Sequence, residues 1–183
     1  MTGMKQIQII GLTVLVLMVF TAAGQALDDA TKAKVDAKIV QYTPWGTDAK
    51  VVEAVKAFNA APPAYAKDMT HDKWQSLTLL SPEVKAIASC ELSKYLKAKK
   101  DASISEAFVS GADGTKVAFF AKSSGWSHKG KPKHDDPMAG KTWTGEVEID
   151  ASSGQQQVQI GIPVMDQGKA IGSIVIGFNV TKI

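Results

Sequence analysis

One polar segment, residues 122–142, holds most of the side chains that could do chemistry. It contains His128 and His134, with five residues between them, followed directly by two aspartates. Imidazole and carboxylate groups can together bind zinc, but this spacing matches no established zinc motif. Three lysines near the histidines, Lys129, Lys131 and Lys133, would repel a cation. We therefore expect no metal site here and interpret both histidines as part of a solvated surface loop.

The sequence contains no recognisable catalytic motif. It lacks a Gly-x-Ser-x-Gly elbow, a glycine-rich phosphate loop and a His-Glu-x-x-His helix. Glu146 and Glu148 are two residues apart, so they share one face of a predicted strand. A solvated strand face explains this pair more simply than a general acid and base. We expect no enzymatic activity and no cofactor.

Composition excludes several further classes of function. Cys90 is the single cysteine, so neither an intramolecular disulfide nor Cys-x-x-Cys redox chemistry is available. We interpret Cys90 as a small buried side chain within a helix. All 21 basic residues are lysine, so an arginine fork cannot bind a carboxylate or phosphate. The formal charge of +3 does not indicate nucleic-acid binding.

The N-terminus has the pattern of an export signal. Lys5 precedes an uncharged run from Ile9 to Ala23, and small residues end at Ala26. The run is shorter than the roughly 20 residues that span a bilayer as a helix. We expect residues 1–26 to be a cleaved signal peptide and the protein to be periplasmic or secreted. The alternative is an uncleaved N-terminal membrane anchor.

Helical periodicity dominates the first half of the mature chain. Apolar residues recur at helical spacing over residues 28–60. Residues 43–47, which include Pro44 and Gly46, should end one helix, and Thr47 or Asp48 can cap the next. A further continuous helix is predicted over residues 82–100.

After residue 105 the period changes to that of strands. Five strands are predicted near residues 107–109, 117–120, 143–150, 158–164 and 171–180. Short turns join the last three, which should form an antiparallel meander. The fold class is therefore α+β, with a long helical region followed by a five-stranded antiparallel sheet in one domain, residues 27–183. The connection over residues 122–142 is long for a compact domain and typical of a functional loop.

Several segments occur in an order that is familiar from one family. They are FVSGADGTKVA at 108–118, GKTW at 140–143, GEVEID at 145–150, IGIPVMD at 160–166 and GKAIGSI at 168–174. Together with the preceding long helix and Asp72-Lys73-Trp74, they resemble Cache or PDC sensor domains. These are PAS-like extracytoplasmic modules of bacterial chemoreceptors and sensor kinases. The resemblance covers residues 33–180.

The resemblance implies a pocket on one sheet face, closed by the long connection and occupied by a small metabolite. In relatives an aspartate at the end of the third strand often contacts an amine, which corresponds to Asp150. An aromatic residue of the connection often packs on the ligand, which corresponds to Trp126. The remaining candidate ligand-binding residues of the connection are Ser123, Lys131 and Asp135.

Two of these assignments have simpler alternatives. Asp150 precedes a Ser-Ser-Gly turn, which it could cap. Trp126 could be a lid residue over the core. The arginines with which amino-acid-sensing relatives hold the ligand carboxylate are absent, which argues against an amino acid bound in the usual manner.

The resemblance also implies signalling partners. Beyond the small-molecule ligand, we expect a membrane sensor kinase or chemoreceptor, because no effector domain follows the last strand. The alternative is a ligand-free interaction protein that docks on such a receptor. The first helix could pair two copies into a homodimer, although packing on the sheet explains its apolar stripe equally well.

Overall fold

The structure, a computed structural model, describes residues 27–149 and 155–183. The predicted signal peptide and Asp150 lie outside the described residues. Across the two described ranges, no helix combines the length and the apolar character that crossing a membrane requires.

The chain begins with two capped helices. Helix α1, Asp29–Tyr42, starts at Asp28, whose side chain accepts a hydrogen bond from the Thr31 backbone N–H at 2.8 Å. A 3₁₀ turn, Thr43–Thr47, separates it from helix α2, Ala49–Ala60. Asp48 caps α2 by accepting from the Lys50 backbone N–H at 3.0 Å. The predicted break and cap are confirmed.

Four short helices follow: α3 Ala64–Lys67, α4 His71–Ser76, α5 Pro82–Ala88 and α6 Glu91–Lys99. The prediction of one continuous helix over residues 82–100 is wrong. Cys90 adopts an extended backbone conformation and its Sγ accepts from the Ser93 backbone N–H at 3.4 Å, so it caps α6. The Ser93 hydroxyl donates to the Ile87 carbonyl at 2.7 Å, which satisfies the end of α5. Cys90 is therefore a half-buried cap between two helices.

The five strands are β1 Ile104–Gly111, β2 Lys116–Phe119, β3 Trp143–Ile149, β4 Gln156–Asp166 and β5 Lys169–Asn179. They form one sheet in the order β2-β1-β5-β4-β3, and every neighbouring pair is antiparallel. The α+β class, the five strands and the meander of the last three are confirmed. A short 3₁₀ turn, Val180–Lys182, follows β5.

Both faces of the sheet are covered by other parts of the chain. Alternate residues of a strand point to opposite sides, so each strand can contribute to the packing on both faces. On one face, Ile174 and Ile176 of β5 pack with Val35, Val51 and other residues of α1, the 3₁₀ turn and α2. The opposite face is called the site face here and contains a smaller apolar cluster. That cluster is Met69, Trp74, Val84, Ile87, Phe108, Phe119, Trp126 and Val175.

The long connection lies over the site face and contains its own helix, α7, Pro132–Met138. This helix contacts β3, β4 and β5. Gly161 of β4 makes the close approach possible: a Cβ at this position would lie only 2.7 Å from the Lys133 carbonyl oxygen. The absence of a side chain at Gly161 therefore sets the height of α7 above the sheet.

Candidate functional site

A cavity of about 330 Å³ lies between the site face and the long connection. Strands β1, β3 and β4 form its floor and one wall, and the connection forms the opposite wall. The lining is mostly polar. It consists of Glu106, Phe108, Lys122, Ser123, Ser124, His128, Lys133, Glu148, Ile149, Gln157 and Gln159.

A larger groove of about 660 Å³ runs between α2 and α6. Its charged side chains, Lys50, Glu53 and Lys94 among them, are exposed. Solvated, mobile side chains give little selectivity. Several polar groups of the smaller cavity, among them Lys133, Gln157 and Gln159, are instead held by hydrogen bonds to their neighbours, so we take the smaller cavity as the candidate site.

A chain of hydrogen bonds orders the floor of the cavity. Lys133 Nζ donates to Gln159 Oε1 at 2.8 Å, and Gln159 Nε2 donates to Glu106 Oε1. Gln157 Nε2 donates to the same carboxylate oxygen at 3.2 Å, while the Ser105 hydroxyl donates to Gln157 Oε1 at 3.0 Å. These bonds define the orientation of both amides, so the donors and acceptors of the floor are fixed in advance.

Burial lowers the pKa of Lys133 from its ordinary value. The carboxylates of Glu106 and Glu148 oppose this effect by favouring the charged amine. Lys133 is thus a partly desolvated lysine facing two acids within one small cavity.

His128 lines the cavity and forms a buried basic pair with Lys116, which lies behind it. The His128 ring stacks on Phe108 with centroids 4.6 Å apart and an interplanar angle of 16°. Lys116 is 0% exposed, and its Nζ contacts His128 Nδ1. Burial, followed by repulsion from Lys116 and Lys133, lowers the pKa of His128 to about 2. Burial also lowers the pKa of Lys116 well below its ordinary value.

His134 anchors α7 on the site face. It is 1% exposed, and its Nδ1 is 2.7 Å from the Ser173 hydroxyl of β5. Burial lowers its pKa. The prediction that His128 and His134 belong to a solvated loop is wrong for both residues, because the connection folds onto the sheet and carries its histidines inward.

Helix α4 holds residues 122–124 of the connection, which form one edge of the cavity and are called the lip here. Trp74 Nε1 donates to the Ser123 carbonyl at 2.8 Å, and Gln75 Nε2 donates to the Ser124 carbonyl. Trp126 packs on Trp74 with ring centroids 5.1 Å apart and is 4% exposed. Trp126 therefore lies in the apolar cluster beneath the lip and is not among the residues that line the cavity.

The remaining predicted site residues lie in different places. Ser123 lines the cavity. Lys131 is exposed at the N-terminal end of α7, and the exposed Asp135 accepts a hydrogen bond from the Gly130 backbone N–H at 3.0 Å. Asp150 directly follows Ile149, which lines the cavity. The structure therefore brings Ser123 to the cavity, while Lys131 and Asp135 lie at the start of α7.

Sequence reasoning missed Glu106, Gln157 and Gln159 on the floor. A signal was present for Gln159, a polar residue between the buried Val158 and Ile160 of β4, but Glu106 and Gln157 each have a polar neighbour and show no such alternation. Among the residues described here, no group of three or more histidine, cysteine, aspartate or glutamate side chains is placed to hold a metal ion.

No protein-family model matches the sequence, and no curated protein matches it. Solved structures do match. The sensor domain of the V. cholerae histidine kinase DctB is 16% identical with a TM-score of 0.46, and the match covers 84% of this chain and 53% of that domain. The ligand-binding domain of the Pseudomonas aeruginosa amino-acid chemoreceptor PctC, in complex with GABA, is 12% identical with a TM-score of 0.38, covering 84% and 62%.

The ligand-binding domain of the Pseudomonas fluorescens chemoreceptor CtaA, in complex with L-serine, is 13% identical with a TM-score of 0.43, covering 84% and 56%. This chain thus spans between about half and two thirds of the length of these solved domains. All three are sensor or ligand-binding domains of histidine kinases and chemoreceptors.

Proposed function

We propose that this chain is an extracytoplasmic, Cache-type sensor domain that binds a small polar molecule between the site face and the long connection. The observation that carries the proposal is the cavity of about 330 Å³, in which charged and amide side chains from both walls are already positioned. This volume is near the lower end of the roughly 300–1,000 Å³ that is typical of ligand pockets. It suits a ligand the size of a small metabolite.

The lining indicates the chemistry of that ligand. Lys122 and Lys133 offer positive charge, and Glu106 and Glu148 offer negative charge. A ligand that fits this arrangement carries both hydrogen-bond acceptors and donors. Any carboxylate is held by lysine, because the chain has no arginine.

The residues predicted from the sequence enter the proposal in different roles. Ser123 would contact the ligand from the lip, and Asp150 from the position after Ile149. Trp126 would support the lip through Trp74 when the ligand is bound. Direct ligand contacts from Lys131 and Asp135 stay predictions.

The proposal includes export and a signalling partner. A cleaved signal peptide over residues 1–26 would release the domain outside the cytoplasm. There a membrane sensor kinase or chemoreceptor could bind its ligand-bound form. Pairing of two copies through α1 stays part of the proposal. N-terminal sequencing of exported protein tests the cleavage.

A thermal-shift screen against a metabolite library tests the site. Glu148 and Glu146 are exposed acids of the same strand, and of the two it is Glu148 that lines the cavity. We expect a ligand that raises the melting temperature of the wild type to bind Glu148→Gln roughly tenfold more weakly, because a charge-assisted hydrogen bond is lost. The matched variant Glu146→Gln should bind normally. Ligands that bind both variants equally well would contradict the site.

Native mass spectrometry of the exported protein gives a second test. A domain that senses a small molecule should carry a ligand adduct when purified from its own source. An adduct-free protein that co-purifies with a membrane receptor would favour the ligand-free docking role instead.

A further inference from the structure

Lys116 lies behind the wall of the candidate cavity and does not line it. It begins strand β2 opposite Ser110 of β1, and it is completely buried. Its Nζ lies 3.8 Å from the centroid of the Phe108 ring and contacts His128 Nδ1. Phe108 and His128 both line the cavity. A lysine amine is thus placed directly behind two cavity-lining rings.

We infer that Lys116 is a positioning residue that donates to His128 Nδ1, holds the imidazole in its Nε2–H form and so presents a hydrogen-bond donor to the ligand. This inference rests on the proposed ligand-binding function. It adds to that function that the His128 part of the cavity wall donates a hydrogen bond to the ligand.

The arrangement of donors supports this assignment. A lysine amine has N–H donors in both protonation states and an acceptor lone pair only when it is neutral, while a neutral imidazole has one acceptor nitrogen and one N–H. If Nδ1 accepts from Lys116, the ring proton resides on Nε2. No hydrogen bond joins Nε2 to any residue in the described ranges. The Nε2–H group is therefore free to bind a ligand.

The surroundings keep the imidazole in this state. Stacking on Phe108 fixes the plane of the ring. Burial acts most strongly on His128, and the charged groups with the next largest effects are Lys116, Lys133, His134 and Lys131, all of them basic. A second proton on His128 is disfavoured, so the ring remains a single donor and the matching ligand group is an acceptor such as a carbonyl or carboxylate oxygen.

Long-range ¹H–¹⁵N correlation spectra of the full chain at neutral pH test the inference without any ligand. The protonated and unprotonated ring nitrogens have well-separated shifts, and the His128 signals are identified by their loss in His128→Gln. We expect Nδ1 of His128 to be unprotonated and Nε2 to carry the proton. A proton on Nδ1 in the wild type would overturn the inference.

Two matched variants separate positioning from general stability. Lys116→Met should shift the His128 tautomer towards Nδ1–H, whereas Lys133→Met, which removes the cavity lysine that donates to Gln159, should leave the tautomer unchanged. An unchanged tautomer in folded Lys116→Met would contradict the role of Lys116. If this variant does not fold, the wild-type spectrum still decides the question.

Binding gives an independent measurement. For a metabolite found in the thermal-shift screen, Lys116→Met should weaken binding by roughly threefold to tenfold, the loss expected for one hydrogen bond. Unchanged affinity would overturn the role in presenting a donor. If the tautomer is as expected and no metabolite binds, the proposed function fails while the assignment of Lys116 stands.

Discussion

Three basic side chains, Lys116, His128 and His134, are buried on the site face. Burial of a base without an acidic partner disfavours its charged form. The contacts of these side chains are a neighbouring base, an aromatic ring and the Ser173 hydroxyl, and the carboxylates of Glu106, for Lys116, and Asp135, for His134, only partly offset the effect of burial on the pKa. Such a costly arrangement is typical of binding sites.

Acid should therefore destabilise the protein through these histidines. The pKa of His128 is lowered to about 2 in the folded chain, from an ordinary value of 6.5. Between these values the unfolded chain binds a proton that the folded chain does not, so stability falls as the pH falls below 6.5. For His128 alone, the loss between pH 7 and pH 5 is about 2 kcal/mol.

Urea unfolding at pH 7 and pH 5 measures this loss. His128→Gln should lose about 2 kcal/mol less than the wild type over that interval. His71, an exposed histidine at the start of α4, provides the control, because His71→Gln should keep the pH dependence of the wild type. Equal pH dependence in His128→Gln and the wild type would contradict the burial of a neutral imidazole.

At the scale of elements, the lip of the cavity depends on α4. Trp74 is 0% exposed, donates to the Ser123 carbonyl and packs on Trp126, while Lys122 Nζ lies 4.9 Å from the Trp74 ring centroid. The position of the lip is thus coupled to a helix far from it in sequence.

Trp74→Phe should loosen this lip. The substitution keeps an aromatic ring and removes the N–H donor, which costs about 1 kcal/mol and leaves the Ser123 carbonyl without its partner. Hydrogen–deuterium exchange should become faster in residues 122–126. The control Trp45→Phe changes a buried tryptophan of the other core cluster and should leave exchange in that segment unchanged. Equal effects of the two variants would show that α4 does not hold the lip.

The strands were predictable because alternation is a local property, and β4 shows it from Val158 to Val164, where every second residue belongs to one apolar cluster. Helix α7 was not. Pro132 is a good first residue for a helix, but Pro137 only five positions later argues against one, and the structure places Pro137 in the last turn. The inward direction of His134 depends on the contact of α7 with Gly161, which no local pattern contains.

The site was partly predictable. The length of the connection indicated a functional loop, the family resemblance implied that it closes a pocket on the sheet, and Ser123 lies in the lining. The depth of Trp126 and His128 depends on Trp74 and Phe108, which belong to distant elements. Burial of this kind follows from tertiary packing and therefore could not be read from the connection itself.

At the scale of the whole molecule, Asp101 joins the helical layer to the beginning of the sheet. Lys38 Nζ of α1 lies 2.7 Å from its carboxylate, and the Ser103 backbone N–H donates to the same group at 2.8 Å. Burial acts to raise the pKa of Asp101, but the hydrogen bonds from Lys38 and Ser103 outweigh it, and the pKa lies below its ordinary value.

Asp101→Asn should lower the free energy of unfolding at pH 7 by about 1 kcal/mol, the upper range for a partly exposed ion pair. Because the folded pKa is lowered, this stability is complete above the unfolded pKa of about 3.9 and is lost as the pH falls through the folded value. The variant and wild type should therefore converge in acid. Asp36→Asn, which breaks the exposed pair with Lys32, should change stability by a few tenths of a kcal/mol at most.

The central strand β5 contributes to both apolar clusters. Ile174, Ile176 and Phe178 belong to the cluster under the helices, and Val175 belongs to the cluster under the lip. Neighbouring residues of one backbone segment thus join the two halves, and detaching the strand from either cluster detaches it from the other. Loss of packing in one half should therefore disturb the other, so the walls of the cavity depend on the folding of the entire domain.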